Sequence, residues 1–328
     1  MDHYEKLSET EKQKYLANLA NMYYERNMTQ SEIAEQLSTT RFKVSKLLQE
    51  ARDLNVVEII INKPNDRYTK AENLLIKHFN LIDAIILDNH MMSHDETIHA
   101  LGKLGAKYVE RVVTENSIIG LLWGKTLFNV IKQMKPKNKI PITAVQVLGA
   151  AAKDNPLVDS PELIRKFANI YGGKYKYLYA PLYIDNDYAR KALLQEPVIN
   201  DTLFLASKCD IILTGIGTID AVFASTLWSS YLVENKNFHI NSEKAVGCIY
   251  ARLYDENGAE VDIDINKKII GTELNTFHQV KYRIGVAAGK YKAEAILGAL
   301  RGNHVNVLIS DASTVQKLFN LANINVEE

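Results

Sequence analysis

The pattern of apolar and polar positions in the first sixty residues predicts three short helices. A first helix spans residues 9–25. Thr29 opens a second helix as its N-cap, and Glu32, three residues later, completes a capping box. After the turn at 38–40, a third helix spans residues 41–53. The inward positions recur at helical spacing and are Leu16, Leu19, Ala20, Tyr23, Ile33, Ala34, Leu37, Val44, Leu47 and Leu48.

The outer side of the second and third helices carries polar and basic side chains. Hydroxyl groups and helix N-terminal amides bind phosphates, and arginine or lysine reaches guanine in the major groove. Short helices joined by a tight turn are typical of a helix-turn-helix, whose last helix is the recognition helix. A solvated three-helix bundle with no DNA role is the alternative. The candidate DNA contacts are Thr29, Gln30, Thr39, Thr40, Arg41, Lys43, Ser45 and Lys46.

The segment after the third helix indicates a change of domain. Asn55 is expected to take the left-handed conformation that ends many helices. Residues 56–61 are apolar and β-branched, which predicts a strand as a wing or as the exit from the domain. The polar run at 64–66 reads as a linker. We therefore expect a helix-turn-helix DNA-binding domain at 1–58 and an effector-binding and oligomerisation domain at 59–328.

Beyond this linker, short apolar runs alternate with helical patterns. Such alternation predicts a larger doubly wound, mostly parallel α/β domain, with helices on both faces of the sheet. The helical segments include 160–170 and 290–300. Ligands of such sheets bind beyond the carboxyl ends of the strands. The predicted strands are 84–87, 117–122, 142–147, 210–214, 283–287 and 305–309.

Five turns at predicted strand ends carry small or polar residues suited to binding a sugar or its phosphate. Glycine allows close approach of the backbone, and helix N-terminal amides bind anions. Each turn alone could equally be a tight connection, but five in one sheet favour a shared site. None of these turns places a nucleophilic side chain next to a general base, so the pattern favours ligand binding over catalysis. The candidate effector contacts are Gly124, Lys125, Thr126, Gly149, Ala150, Ala151, Gly215, Gly217, Thr218, Cys248, Arg252 and Lys292.

Composition changes this picture little. The chain has 328 residues and is 47% hydrophobic, enough for about two globular domains. Its net charge is zero, and only residues 38–52 show a local basic surplus, with four basic residues against one acid. Such a small basic face suits an oligomer that sums weak phosphate contacts. The two distant cysteines, the polar N-terminus and the lack of a long apolar run predict a cytoplasmic protein with no membrane contact.

Several sequence blocks occur together in an order found in one regulator family. Residues 29–61 read TQSEIAEQLSTTRFKVSKLLQEARDLNVVEIII, and LWGKTL, GIG, RLYDENG, KAEAILGALRG and VLISD follow. Over nearly its whole length the chain therefore resembles the SorC family of bacterial sugar-responsive regulators. The resemblance implies an effector domain similar in fold to sugar-phosphate isomerases and deaminases. It also implies a homotetramer on an operator. Cys248 departs from the family pattern, which usually has an acidic or polar residue after this glycine.

The sequence thus predicts a transcriptional regulator of a carbohydrate-utilisation operon rather than an enzyme. Its expected partners are double-stranded operator DNA and a sugar or sugar-phosphate effector, with no cofactor. A metal site at His90, His94 and His99 is disfavoured because Ser93 and Asp95 look like the start of a helix. One alternative is an isomerase-like or deaminase-like enzyme with a DNA-binding appendage. Another is a regulator that senses an uncharged sugar or polyol.

Overall fold

The computed structural model describes residues 4, 7–57, 67–151, 155–224 and 244–325. The chain divides into two compact units, Met1–Pro64 and Asn65–Glu328. Most of the predicted strand at 56–61 and the linker at 64–66 lie outside the described residues. No helix in the described ranges is long and apolar enough to cross a membrane.

The first unit contains the three predicted helices, α1 (Glu9–Tyr24), α2 (Gln30–Gln36) and α3 (Arg41–Asp53). The capping box predicted for α2 is present, and Asn55 has the expected positive φ of 54°. The helices share one apolar core because their inward residues recur at helical spacing. Most of the predicted inward residues are buried, namely Leu16, Leu19, Ala20, Ile33, Ala34, Val44, Leu47 and Leu48. Tyr23 and Leu37 are partly buried against this core.

The second unit alternates strands with helices, as predicted. Its strands are β1 (Asp83–Leu87), β2 (Ile118–Leu121), β3 (Thr143–Gln146), β4 (Lys174–Lys176), β5 (Ile211–Gly215), β6 (Ala245–Ile249), β7 (Arg252–Asp255), β8 (Tyr282–Val286) and β9 (Val307–Asp311). Its described helices are α4 (Thr69–Phe79), α5 (His94–Val112), α6 (Lys125–Gln133), α7 (Ser160–Tyr171), α8 (Asp187–Gln195), α9 (Pro197–Ala206), α10 (Ile219–Phe223), α11 (Asp264–Lys267), α12 (Leu274–His278), α13 (Ala293–Arg301) and α14 (Ala312–Ala322).

Seven of these strands form one parallel sheet in the order β1-β9-β8-β5-β2-β3-β4. The α/β class and the mainly parallel sheet predicted from the sequence are confirmed. Along the chain, β3 and β4 are added on one side of β2, whereas β5 is added on the other. The strand order therefore reverses between β2 and β5. Open parallel sheets bind ligands in the crevice at this reversal, outside the carboxyl ends of the strands.

The prediction of five turns in one sheet is wrong for the fourth turn. Strands β6 and β7 form a separate two-stranded antiparallel sheet, a hairpin outside the main sheet. The hairpin is held against α13, because the Tyr254 hydroxyl donates to the Ala295 carbonyl at 2.7 Å. At its far end, His304 Nε2 hydrogen-bonds the Gly258 carbonyl at 2.8 Å. This attachment fixes Cys248 and Arg252, the two candidate effector residues that the hairpin carries.

The sequence also left β4 unrecognised. This strand lies at the edge of the sheet, and all three of its residues are exposed. Its two lysines give a polar pattern that is usual for an edge strand but different from the apolar runs of the inner strands.

Candidate functional site

The carboxyl ends of β2 and β5 are neighbours in the sheet, and a glycine lies at each of them, after the end of β2 and as the last residue of β5. Gly124 follows β2 with φ of 130°, and a Cβ built on it would meet no atom of the described residues within 4 Å. The same holds for Gly215 at the end of β5. Both glycines lie at the point where the strand order reverses. The crevice there is open to a ligand that approaches the backbone closely.

Helix α6 begins at this crevice, directly after Gly124. No side chain caps the helix, and its first turn contains no acidic residue. The side chain of Lys125 is exposed and that of Thr126 is half-buried. Uncapped amides at a helix N-terminus, together with the helix dipole, favour an anion.

Lys292 extends from the end of β8 towards the turn that follows β5. Its Nζ donates to the Ile216 carbonyl at 3.0 Å, and burial lowers the pKa of this ammonium. No carboxylate in the described part of the chain pairs with it. A desolvated ammonium without a counter-charge attracts an anionic ligand group.

The turn after β3 lies beside this region, but two of its amides are already used. The Gly149 amide donates to the Ile270 carbonyl at 2.9 Å, and the Ala150 amide donates to the Ala180 carbonyl at 2.9 Å. Ala151 is fully buried. This turn can therefore form a wall of the site, whereas its Gly149 and Ala150 amides are not available to a ligand.

The hairpin joins the site through the turn after β5. Gly217 and Cys248 exchange backbone hydrogen bonds of 2.9 and 3.0 Å. Thr218 is occupied as the N-cap of α10, because its hydroxyl accepts from the Ala221 amide. The side chain of Cys248 is partly exposed beside this junction.

Arg252, at the start of β7, is buried, and its guanidinium forms ion pairs with two carboxylates. Its guanidinium lies 3.7 Å from Glu260 and 3.9 Å from Glu273, and it donates to the Tyr250 carbonyl at 3.2 Å. Burial lowers the pKa of Arg252 and raises that of Glu260. Thr272, next to Glu273, donates its amide to the Val147 carbonyl after β3. These contacts connect the hairpin to the carboxyl edge of the main sheet.

In the first unit, the surface of α3 carries the candidate DNA contacts. Arg41, Ser45 and Lys46 are exposed, and Lys43 is half-buried. Thr40 caps the helix by accepting from the Lys43 amide at 3.2 Å, and the first turn contains no acidic residue. Thr39 is half-buried in the preceding turn.

The start of α2 is electrostatically different from that of α3. The Thr29 hydroxyl donates to the Glu32 carboxylate at 2.8 Å, and hydrogen bonds from Thr29 lower the pKa of Glu32. This exposed negative charge disfavours a phosphate at the N-terminus of α2. Gln30 is half-buried next to it and lines a surface cleft with Tyr24 and Arg41.

Comparisons with known proteins bear on the family and the fold of this chain. Residues 63–320 match the Sugar-bind family model, which describes a sugar-binding domain. The deoxyribonucleoside regulator of Bacillus subtilis is 30% identical over 311 residues, covering 94% of this chain and 98% of that protein. The crystal structure of the full-length sorbitol operon regulator of Klebsiella pneumoniae aligns with a TM-score of 0.70 and 27% identity. It covers 94% of this chain and 99% of that one.

The chain belongs to the SorC family of sugar-responsive transcriptional regulators. The prediction of a DNA-binding regulator is confirmed. The isomerase or deaminase interpretation is not supported, because the sorbitol operon and deoxyribonucleoside relatives are regulators.

Within this SorC-family chain, the sequence pattern named Arg252 as a candidate but not the two carboxylates that set its electrostatics. Glu260 and Glu273 lie near Arg252 only because the hairpin and the segment before α12 meet in space. Local spacing contains no signal for that meeting. Glu273 directly precedes α12, and a carboxylate there could have been recognised only as a helix-start residue.

Proposed function

We propose that α2 and α3 form a helix-turn-helix in a DNA-binding domain at 1–58, and that α3 enters the major groove of double-stranded operator DNA. The observation that carries this proposal is the basic, acid-free N-terminal half of α3. Arg41 and Lys43 contact phosphates, while Ser45 and Lys46 face the bases. Thr39 and Thr40 add polar contacts to the DNA backbone. Thr29 and Gln30, which lie beside the Glu32 carboxylate, are assigned contacts to the DNA away from the phosphates.

Replacing Arg41 or Lys43 with alanine is expected to weaken DNA binding. Each lost phosphate contact should also reduce the slope of log K against log salt concentration by roughly 0.9. Fluorescence anisotropy on operator DNA at several salt concentrations measures both effects. Lys14→Ala is the matched control, because Lys14 is an exposed lysine on α1 of the same unit. Undiminished binding by both α3 variants would show that another helix reads the DNA.

We propose further that residues 59–328 bind a phosphorylated sugar in the crevice between β2 and β5. The observation that favours a phosphate is the desolvated ammonium of Lys292, with which no carboxylate among the described residues pairs. The amides of Lys125 and Thr126 at the start of α6 provide further donors. Gly124, Gly215, Gly217, Thr218, Cys248 and Arg252 supply the remaining contacts around the sugar. Gly149, Ala150 and Ala151 form a wall of the site, because the amides of Gly149 and Ala150 are already used and Ala151 is fully buried.

A thermal-shift screen of sugars, polyols and their phosphates tests the effector class. Phosphorylated compounds should raise the melting temperature, whereas their uncharged counterparts should have little effect, because only the phosphate compensates Lys292. A response confined to uncharged compounds would support the second candidate, a sensor of a free sugar or polyol. The two carboxylates near Arg252 favour that candidate, because they already offset the charge of this arginine and can accept sugar hydroxyls.

We propose that effector binding and DNA binding are coupled through the assembly of subunits. Effector binding alters the relative placement of subunits in a homotetramer, and so the spacing of recognition helices on the operator. Four copies of α3 also compensate for the few basic residues that each copy carries. Because bacterial DNA lies in the cytoplasm, we expect the protein to act there. Light scattering from the full-length chain, with and without effector, measures the number of subunits.

A further inference from the structure

The side of α3 that faces away from the core is centred on an aromatic residue. In a helix, successive residues are rotated by about 100°. On this basis the buried residues of α3 lie about 140° to 240° around the helix from Phe42. These buried residues are Val44, Leu47, Leu48 and Ala51. Phe42 therefore points almost directly away from the core, and it is 74% exposed.

The basic residues next to Phe42 lie to either side of it. Arg41 and Lys43 are each rotated by about 100° from Phe42, in opposite directions. In a groove, that places them towards the two phosphate backbones and leaves Phe42 over the base edges. Ser45, Lys46 and Gln49 follow Phe42 at i+3, i+4 and i+7 on the same outward stripe. The Lys46 ammonium lies 5.8 Å from the centre of the Phe42 ring.

A phenylalanine ring has no hydrogen-bonding group for phosphates or for polar base atoms. The major groove offers such a ring one apolar partner, the 5-methyl group of thymine. We propose that Phe42 recognises a thymine in the operator through this methyl group and is therefore a determinant of sequence specificity. The proposal rests on the proposed entry of α3 into the major groove. The sequence pattern predicted only polar and basic DNA contacts, and Phe42 was not among them.

Substitution of thymine by uracil tests this inference directly, because it removes only the methyl group. Operator DNA is first selected from a random pool with the full-length chain, and each thymine is then replaced singly by uracil. The wild-type chain should lose about 3- to 10-fold in affinity at one thymine per half-site, as expected for one buried methyl group. Phe42→Ala should bind the thymine and uracil forms equally, and Phe42→Leu should keep part of the difference.

Leu54→Ala is the matched control. Leu54 is 50% exposed and follows the last residue of α3, far from its N-terminal half. This variant should discriminate thymine from uracil as the wild type does. Full discrimination by Phe42→Ala would overturn the inference. The inference would also be overturned if no uracil substitution weakened binding by the wild-type chain. This test does not depend on the variant, so it holds even if light scattering shows that Phe42→Ala changes the number of subunits.

The outcome is separable from the fate of the helix-turn-helix proposal. If the chain selects DNA, and Arg41→Ala and Lys43→Ala weaken its binding, α3 is the reading helix whatever Phe42 does. If selection succeeds but neither variant weakens binding, the helix-turn-helix assignment fails. Any effect of uracil would then come from a different DNA-binding surface. If Phe42→Ala also kept the wild-type preference for thymine, the proposed role of Phe42 would be rejected as well.

Discussion

Lys292→Met is expected to weaken binding of a phosphorylated sugar by roughly 100-fold while leaving the protein without effector at least as stable as before. A charge-assisted hydrogen bond to a phosphate contributes about 1.5–3 kcal/mol, and 100-fold corresponds to about 2.7 kcal/mol. Stability should not fall, because the ammonium is partly desolvated and no described carboxylate compensates it. Methionine keeps the length and apolar character of the buried part of the side chain.

Isothermal titration calorimetry, with the phosphorylated compound that gives the largest thermal shift, measures the loss of affinity. Lys290→Met is the matched control, because Lys290 lies in the same helical turn but is exposed. It should change affinity by less than about threefold, as is usual for a solvated charge. Because burial lowers the pKa of Lys292, wild-type affinity should also decline at a lower alkaline pH than an ordinary lysine would allow. Equal affinity in wild type and Lys292→Met would show that Lys292 does not bind the phosphate.

Local patterns were sufficient for the parts of this fold that depend on neighbours in sequence. Thr29 and Glu32 predict the start of α2 because a capping box is completed within four residues. Gly124 and Gly215 could be placed at a binding edge because each follows an apolar run that becomes an inner parallel strand. Parallel strands end at the same edge of a sheet, so the order of elements was enough to bring these turns together.

Local patterns failed where long-range pairing decides the structure. The segment containing Cys248 resembles an inner strand, but its partner is Leu253 in an antiparallel hairpin, and the side chains around it do not reveal this. The Gly149 amide could not be recognised as occupied, because its acceptor, Ile270, is more than a hundred residues away. The site therefore has fewer backbone donors than the turn sequences suggest.

Asp311 shows how the turn that carries Lys292 is held in place. This carboxylate ends β9, pairs in register with Leu87 of β1 and is fully buried. One carboxylate oxygen accepts from the Gly289 amide at 3.0 Å and from the Thr314 hydroxyl. The other accepts from the Thr314 amide at 3.0 Å and from the Ser313 hydroxyl at 2.6 Å. Gly289 has φ of 108° and begins the turn that leads to Lys292, so Asp311 fixes the origin of that turn.

Asp311→Asn is therefore expected to lower the free energy of unfolding by roughly 3 kcal/mol, taking 1.5–3 kcal/mol for one lost hydrogen bond to a charged group and a smaller loss for the bonds that then go to a neutral amide. Each oxygen of Asp311 accepts two donors, whereas an amide nitrogen accepts none. The Gly289 amide also donates to the Thr314 hydroxyl at 2.8 Å, so at least one donor is left without an acceptor, and the remaining bonds go to a neutral group. Ser313→Ala removes one donor and leaves no buried donor without an acceptor, so it should cost about 1.5 kcal/mol, the low end for a hydrogen bond to a charged group. Urea unfolding measures both, and titration with the phosphorylated effector below the unfolding transition should show weaker binding for Asp311→Asn alone. If the asparagine variant loses no more stability than Ser313→Ala and keeps full affinity, Asp311 does not hold the Lys292 turn.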